Sequence, residues 1–421
     1  MRNLIPSVPK PRLPTRQSLL LLSGVGISGI GDFIYLIAIN ILVLQMTSSP
    51  AAVAGLWMIA PLASICTKFW AGSVVDRHDQ RRLMMFMDIL RAIFVATLPL
   101  LPNIWIMYAC IFIISMGSAL FAPASQVHMT RIIPAESRKR YNSSQAFVTS
   151  GAFVLGPAIA GVVLLYGSPS IAIYLDAVSF LMSAFLISRL PRLHSQRDPQ
   201  ELRIKLSLRI IASDWITVIQ FSRRATFIMT IYVLFQIIFI IGVSLDAQEV
   251  VMIRQVIGLS SAEYAALISL TGIGYLGGSL VNSLIIKWSS VRYLIGCGVM
   301  MVSTGYLLFA LSHSFFMAAA SFVLLGFSSA FSSTGFMTFY QNHISVDYMG
   351  RISSVFGLMI SVMHVVTILV VGLAAEQFTL RTVYISVSAL LVLLSIWLLF
   401  LTLRPSRRVH FSDQAQPSLT L

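Results

Sequence analysis

Residues 19–46 read LLLLSGVGISGIGDFIYLIAINILVLQM, an apolar run interrupted by one charged residue, Asp32. A helix of about 20 such residues crosses a ~30 Å hydrocarbon core, and this run exceeds that length. It also far exceeds the roughly 7–15-residue apolar core of a signal peptide. The run reads as a retained first transmembrane helix.

Outward from it, similar runs follow almost without a break. Apolar stretches against turn and charge punctuation give spans at 52–71, 83–100, 104–128, 144–166 and 170–189, then at 225–245, 263–286, 292–311, 315–340, 352–374 and 379–403. The composition agrees, with 57% hydrophobic and 10% charged residues over 421 positions, whereas soluble domains carry about 25% charged residues. The predicted fold class is an all-α membrane protein of about twelve transmembrane helices. The expected organisation is an N-terminal segment (1–17), a six-helix unit (18–190), a polar linker (191–224), a second six-helix unit (225–403) and a tail (404–421).

The net charge of +14 raises the question of a nucleic-acid partner. The cations fall instead in alternate connections: Arg2, Lys10, Arg12 and Arg16; then Arg77, Arg81 and Arg82; then Arg131, Arg138, Lys139 and Arg140. That alternation is the positive-inside pattern, and it leaves no continuous basic stripe to follow a phosphate backbone. It predicts cytoplasmic termini and linker in a multi-pass protein of the cell membrane, with lipid as a partner and no nucleic acid. The opposite connections are short or acidic, the longest holding Asp246, Glu249 and Glu263. In the linker, residues 204–221 have apolar positions at helical spacing, which fits either an amphipathic surface helix or a solvated one. Cys66, Cys110 and Cys297 lie inside apolar spans, where neither a disulfide framework nor a zinc site is read. No phosphate-binding loop, metal-ligand cluster or nucleophile arrangement is present, so no cofactor, metal or ATP-driven step is expected and the chain does not read as an enzyme.

Between spans two and three the chain reads GSVVDRHDQRR, residues 72–82. Gly72 allows close helix approach, Asp76 can face a helix N-terminus, and Arg77, Arg81 and Arg82 can form charge-assisted bonds. This stretch resembles the signature loop of the major facilitator superfamily, departing from it at Asp79, where that pattern more often has Gly. In span five, GAFVLGPAIAG (residues 151–161) resembles the antiporter motif of superfamily exporters through Gly151, Gly156, Pro157 and Gly161, although Ala152 and Ala160 stand where further glycines are usual. A small-residue helix with a proline kink is the plainer reading of the same residues. FAPASQVHMTRIIPAESRKRYNSSQAF, MDILRA and VDYMGRISSVFGL, the last with Gly350 and Arg351, look like the macrolide-efflux and siderophore-exporter branch. The resemblance implies two pseudo-symmetric six-helix bundles around a cavity that opens alternately to each side. The charges of GSVVDRHDQRR can latch one conformation of that change, and a plain basic loop obeying the positive-inside pattern is the alternative reading.

Charged groups in the bilayer cost about 2.5–3.5 kcal/mol each on insertion scales and so mark cavities or partners. Asp32, the only acid placed near the membrane centre, is a proton-coupling or substrate site, or else the structural partner of a donor. Asp88 and Arg91, three apart on span three, are expected to pair. His364 near the middle of span eleven is a proton carrier or a neutral packed ring. Gln236 in span seven and Asp176, placed in the outer part of span six near the water boundary, are further candidates. Lys68 can snorkel and receives no function. The resemblance favours proton-driven antiport: efflux of a hydrophobic or amphipathic small molecule such as a macrolide, another drug or a siderophore, by a monomer, with drug resistance as the outcome. An importer, a lysophospholipid flippase and an integral-membrane enzyme are the alternatives.

Overall fold

The computed structural model describes residues 16–133, 135–191, 215, 216, 218, 220–285, 289–344, 346–405 and 411. Within them lie twelve helices long and apolar enough to cross a membrane. They are α1 (Arg16–Thr47), α2 (Pro50–Arg77), α3 (Gln80–Thr97), α4 (Ile104–Ile132), α5 (Ala135–Tyr166) and α6 (Pro169–Ser188). The second set is α7 (Thr226–Asp246), α8 (Ser261–Ile285), α9 (Val291–Ala310), α10 (Phe315–His343), α11 (Val346–Gln377) and α12 (Leu380–Leu403). The amphipathic stretch expected at 204–221 falls mostly outside the described residues, as do residues 1–15 and most of the tail.

Local chemistry sets the helix starts. Ser49, Asp79, Asn103, Ser314 and Thr379 each accept a hydrogen bond from a backbone N–H of the first turn, and Pro50 and Pro169 sit where a missing N–H costs nothing. The tight turn between α1 and α2 uses Ser48 at φ 51°.

The helices pack as two bundles. In the first, α1 lies against α5 and α6, α3 against α4 and α6, and α2 against α4; in the second, α8 and α9 pack on α10, and α12 on α7 and α9. The bundles meet along α5 with α8 and α2 with α11. Every hydrogen bond between them among the described residues lies in the half of the molecule away from the basic clusters. Ser49 Oγ donates to Glu376 Oε1 (2.7 Å), Gln248 Nε2 to the Pro50 carbonyl (3.0 Å), Gln255 Nε2 to the Ser48 carbonyl (3.4 Å) and Ser269 Oγ to the Val154 carbonyl (2.9 Å). The end opposite the basic clusters is thus sealed.

Two expectations need correction. The connection read as a loop holding Asp246 and Glu249 is not a solvated loop. Asp246 is the last residue of α7, and Glu249–Val251 starts a buried turn that widens into a π-helical segment (Met252–Ile257) ended by Gly258 at φ 83°. Apolar neighbours Val250, Val251, Met252 and Ile253 are all buried, so burying them carries Glu249 inward as well. Asp176 is not at a water boundary: it is fully buried because its face of α6 packs on α1.

Candidate functional site

The interior of the first bundle holds an acidic cluster built by three helices. Gly31 in α1 has no room for a side chain: a Cβ there would stand 2.0 Å from Ser179 Oγ and 2.4 Å from Asp176 Oδ1. Its absence lets α1 and α6 touch, and it sets the backbone next to Asp32 beside Asp176. Ser179 Oγ donates to Asp176 Oδ1 (3.1 Å), while Asp176 Oδ2 and the buried Tyr35 hydroxyl lack partners. On α3, Asp88 and Arg91 are in contact and both are buried. The Arg91 guanidinium also donates to Ser118 Oγ (3.3 Å) and lies over the rings of Phe180 (4.1 Å) and Phe121 (4.8 Å). Asp32, Asp88, Asp176 and Arg91 are near enough to feel one another's charge. Asp32 alone among them keeps accessible surface, although it lies deep within the protein. It sits one turn before Leu36 on the same helical stripe, and Leu36 lines the central cavity.

That cavity, about 550 Å³, lies between the bundles. The first bundle contributes Leu36, Ile37, Trp57 and Phe153; the rest of the wall comes from the second bundle. Trp57 is held by its indole N–H, which donates to Asn40 Oδ1 (2.9 Å). Phe235 and Phe336 stack with ring centroids 4.0 Å apart. Gln236 lines this cavity. His364 does not: its ring stands 6.1 Å from Phe239, and its Nε2 is unpartnered.

Asp246 and Glu249 face the same cavity, and reading the sequence missed both. The Tyr306 hydroxyl donates to Asp246 Oδ1 (2.7 Å), and the Tyr384 hydroxyl donates to the Leu245 carbonyl (2.6 Å). The available signal was the apolar residues flanking the two acids in VSLDAQEVVMI, too many for a solvated loop.

GSVVDRHDQRR is almost wholly helical. Gly72–Arg77 close α2, His78 and Asp79 form the link, and α3 starts at Gln80. Asp79 has φ −64° and caps α3 by accepting from the Arg82 N–H (3.2 Å), so glycine is not required there. Arg81 donates to the Ile187 carbonyl (3.3 Å) and the Ser188 carbonyl at the C-terminus of α6, where a cation offsets the helix dipole. Arg131 Nη1 donates to Gln80 Oε1 (2.9 Å). The side chains of Asp76, Arg77 and Arg351 lie outside the described portion, and Gly72 and Gly350 are described only as helical backbone.

In α5, Gly156 lies against Phe33, 2.5 Å from its Cβ to an added Cβ, and Gly161 faces Ala265 of α8. Gly151 has open space around it. Ala152 is buried against Gly29 of α1, so the small residue that α5 lacks at that point is supplied by the partner helix.

A twelve-helix molecule of two bundles around a central cavity invites comparison with known proteins. The model of the Major Facilitator Superfamily matches residues 21–368. An uncharacterised MFS-type transporter of Bacillus subtilis, YfiS, is 25% identical over 409 residues, covering 92% of this chain and 94% of the relative. Macrolide efflux protein A of Streptococcus pyogenes is 20% identical over 345 residues, 77% of this chain and 81% of the relative. The crystal structure of a bacterial homologue of the human lysosomal transporter Spinster aligns with TM-score 0.71 at 13% identity, over 97% of this chain and all of that one. The chain belongs to the Major Facilitator Superfamily and is a transporter.

Proposed function

We propose that the chain exports a hydrophobic or amphipathic small molecule in exchange for protons, by alternating access across the cell membrane. Macrolides, other drugs and siderophores are the candidate cargoes, with drug resistance as a consequence. The basic end and both termini face the cytoplasm in this reading, in line with the positive-inside pattern, which puts the hydrogen-bonded end of the two bundles on the outside. The protein acts as a monomer. Efflux as the direction rests on similarity to the macrolide efflux protein.

The observation that carries proton coupling is the placement of Asp32. Its accessible carboxylate lies beside the cleft and is electrostatically linked to the buried Asp88, Asp176 and Arg91. Three carboxylates sharing one guanidinium exchange protons as a set, and the charge of that set differs between states open to either side. The test is proton flux in inverted vesicles carrying the overproduced protein, challenged with macrolides, lipophilic cations and siderophores. Addition of a transported compound should collapse part of the preformed pH gradient. Accumulation of compound with no proton movement overturns the coupling. Single cysteines at Ser49→Cys and Ser195→Cys check orientation in intact cells. A membrane-impermeant thiol reagent should reach position 49 only.

A further inference from the structure

The sealed end of the cavity holds two carboxyl groups, Asp246 and Glu249, that make no ion pair among the described residues. Glu249 is 9% exposed and lines the cavity, and its carboxylate makes no hydrogen bond among the described residues. Asp246 lies three residues before it, at the C-terminus of α7, where the helix dipole already disfavours an anion. The groups that face the pair are neutral: Tyr306 from α9, Tyr264 from α8, Tyr384 from α12 and the adjacent Gln248. Among the described residues no Lys, Arg or His lines the cavity. Arg254, five residues along the chain from Glu249, donates its guanidinium to the Leu259 carbonyl (2.6 Å). An independent feature points to a ligand: Ser303 is fully buried, lines the cavity and leaves Oγ unpartnered. Buried polar groups left unmatched cost free energy unless something fills the gap.

We propose that Glu249 and Asp246, with the Ser303 hydroxyl, form a head-group subsite for a cargo that is a hydrophobic organic monocation, its aromatic body lying against Phe235 and Phe336. This rests on the exporter reading and names the class of compound exported. The carboxylates supply the counter-charge missing from the cavity. The stacked rings and Trp57 supply apolar faces that also attract cations. A 550 Å³ space is in the range that holds drug-sized ligands.

Purified full-length protein in detergent is titrated with two fluorescent planar probes, cationic ethidium and uncharged Nile red. Wild-type protein should bind both. Glu249→Gln, nearly isosteric, should lose at least tenfold in ethidium affinity, about 1.4 kcal/mol, and keep Nile red within twofold. Asp246→Asn should act in the same direction. Ethidium affinity should rise with pH, because a proton on the carboxyl cancels the charge the cation needs, while Nile red affinity stays flat. Wild-type ethidium binding by Glu249→Gln, or equal loss of both probes, overturns the subsite. Vesicle flux separates this from the exporter reading. If ethidium binding is independent of Glu249 while substrate-driven proton release persists, the subsite fails and the exporter stands. If the vesicles accumulate no compound, the exporter reading fails, whatever Glu249 binds.

Discussion

At the level of single residues, the first bundle divides labour between a carboxylate that is reachable and others that are not. Asp32→Asn fixes the uncharged form at the accessible position while leaving Asp88, Asp176 and Arg91 in place. The expected outcome on reconstituted protein is retained downhill exchange of an uncharged compound, with loss of uphill transport and of substrate-driven proton release. An undiminished proton signal would leave Asp32 a mere hydrogen-bond acceptor. Gly31→Ala tests the packing that brings α6 to this site. With Ser179 Oγ 2.0 Å from the added Cβ, overpacking should cost about 1–3 kcal/mol, seen as a lower apparent Tm in detergent. Unchanged Tm would mean that α1 and α6 separate freely. Asp32 was legible in the sequence because one charge in a long apolar run stands out. Asp176 was visible but misplaced, since depth along a helix says nothing about which neighbour covers a face. Glu249 was hidden by position: an acid between two spans looks like a loop acid unless the apolar residues beside it are weighed.

The helices themselves were the most legible feature, because lipid as solvent leaves long apolar runs between punctuation. Their ends were less so. The helix starts at Ala135 and Val346 lie well before the apolar runs they belong to, since amphipathic turns beyond the hydrocarbon are invisible to a hydropathy reading. The signature loop is the sharpest case. Asp79 replaces the usual glycine by capping α3 with its side chain, so Asp79→Ala should lose about 1 kcal/mol and Asp79→Gly only a few tenths. Thermal unfolding of the two variants side by side is the check, and equal losses would refute the capping account. Arg81, clamped on the last carbonyls of α6, ties this turn to a helix that carries Asp176.

Across the whole molecule, the two bundles are joined at one end by a handful of hydrogen bonds, each worth about 1 kcal/mol. The seal is therefore of the order of a few kcal/mol, which the differential binding of a cargo or proton can match. Locking it should stop the cycle. In a background without Cys66, Cys110 and Cys297, Ser49→Cys with Glu376→Cys replaces a 2.7 Å hydrogen bond by a disulfide. Transport should cease on oxidation and return with reductant; continued transport of the oxidised protein would show that this end need not part. The two-bundle architecture was accessible from sequence through family resemblance, but the sealed state was not, because it depends on backbone positions brought together from distant segments. Three of the bonds across that seal end on carbonyls of Ser48, Pro50 and Val154. A main-chain acceptor survives any substitution at its own position, so the doorway can drift in sequence over evolutionary time and still latch.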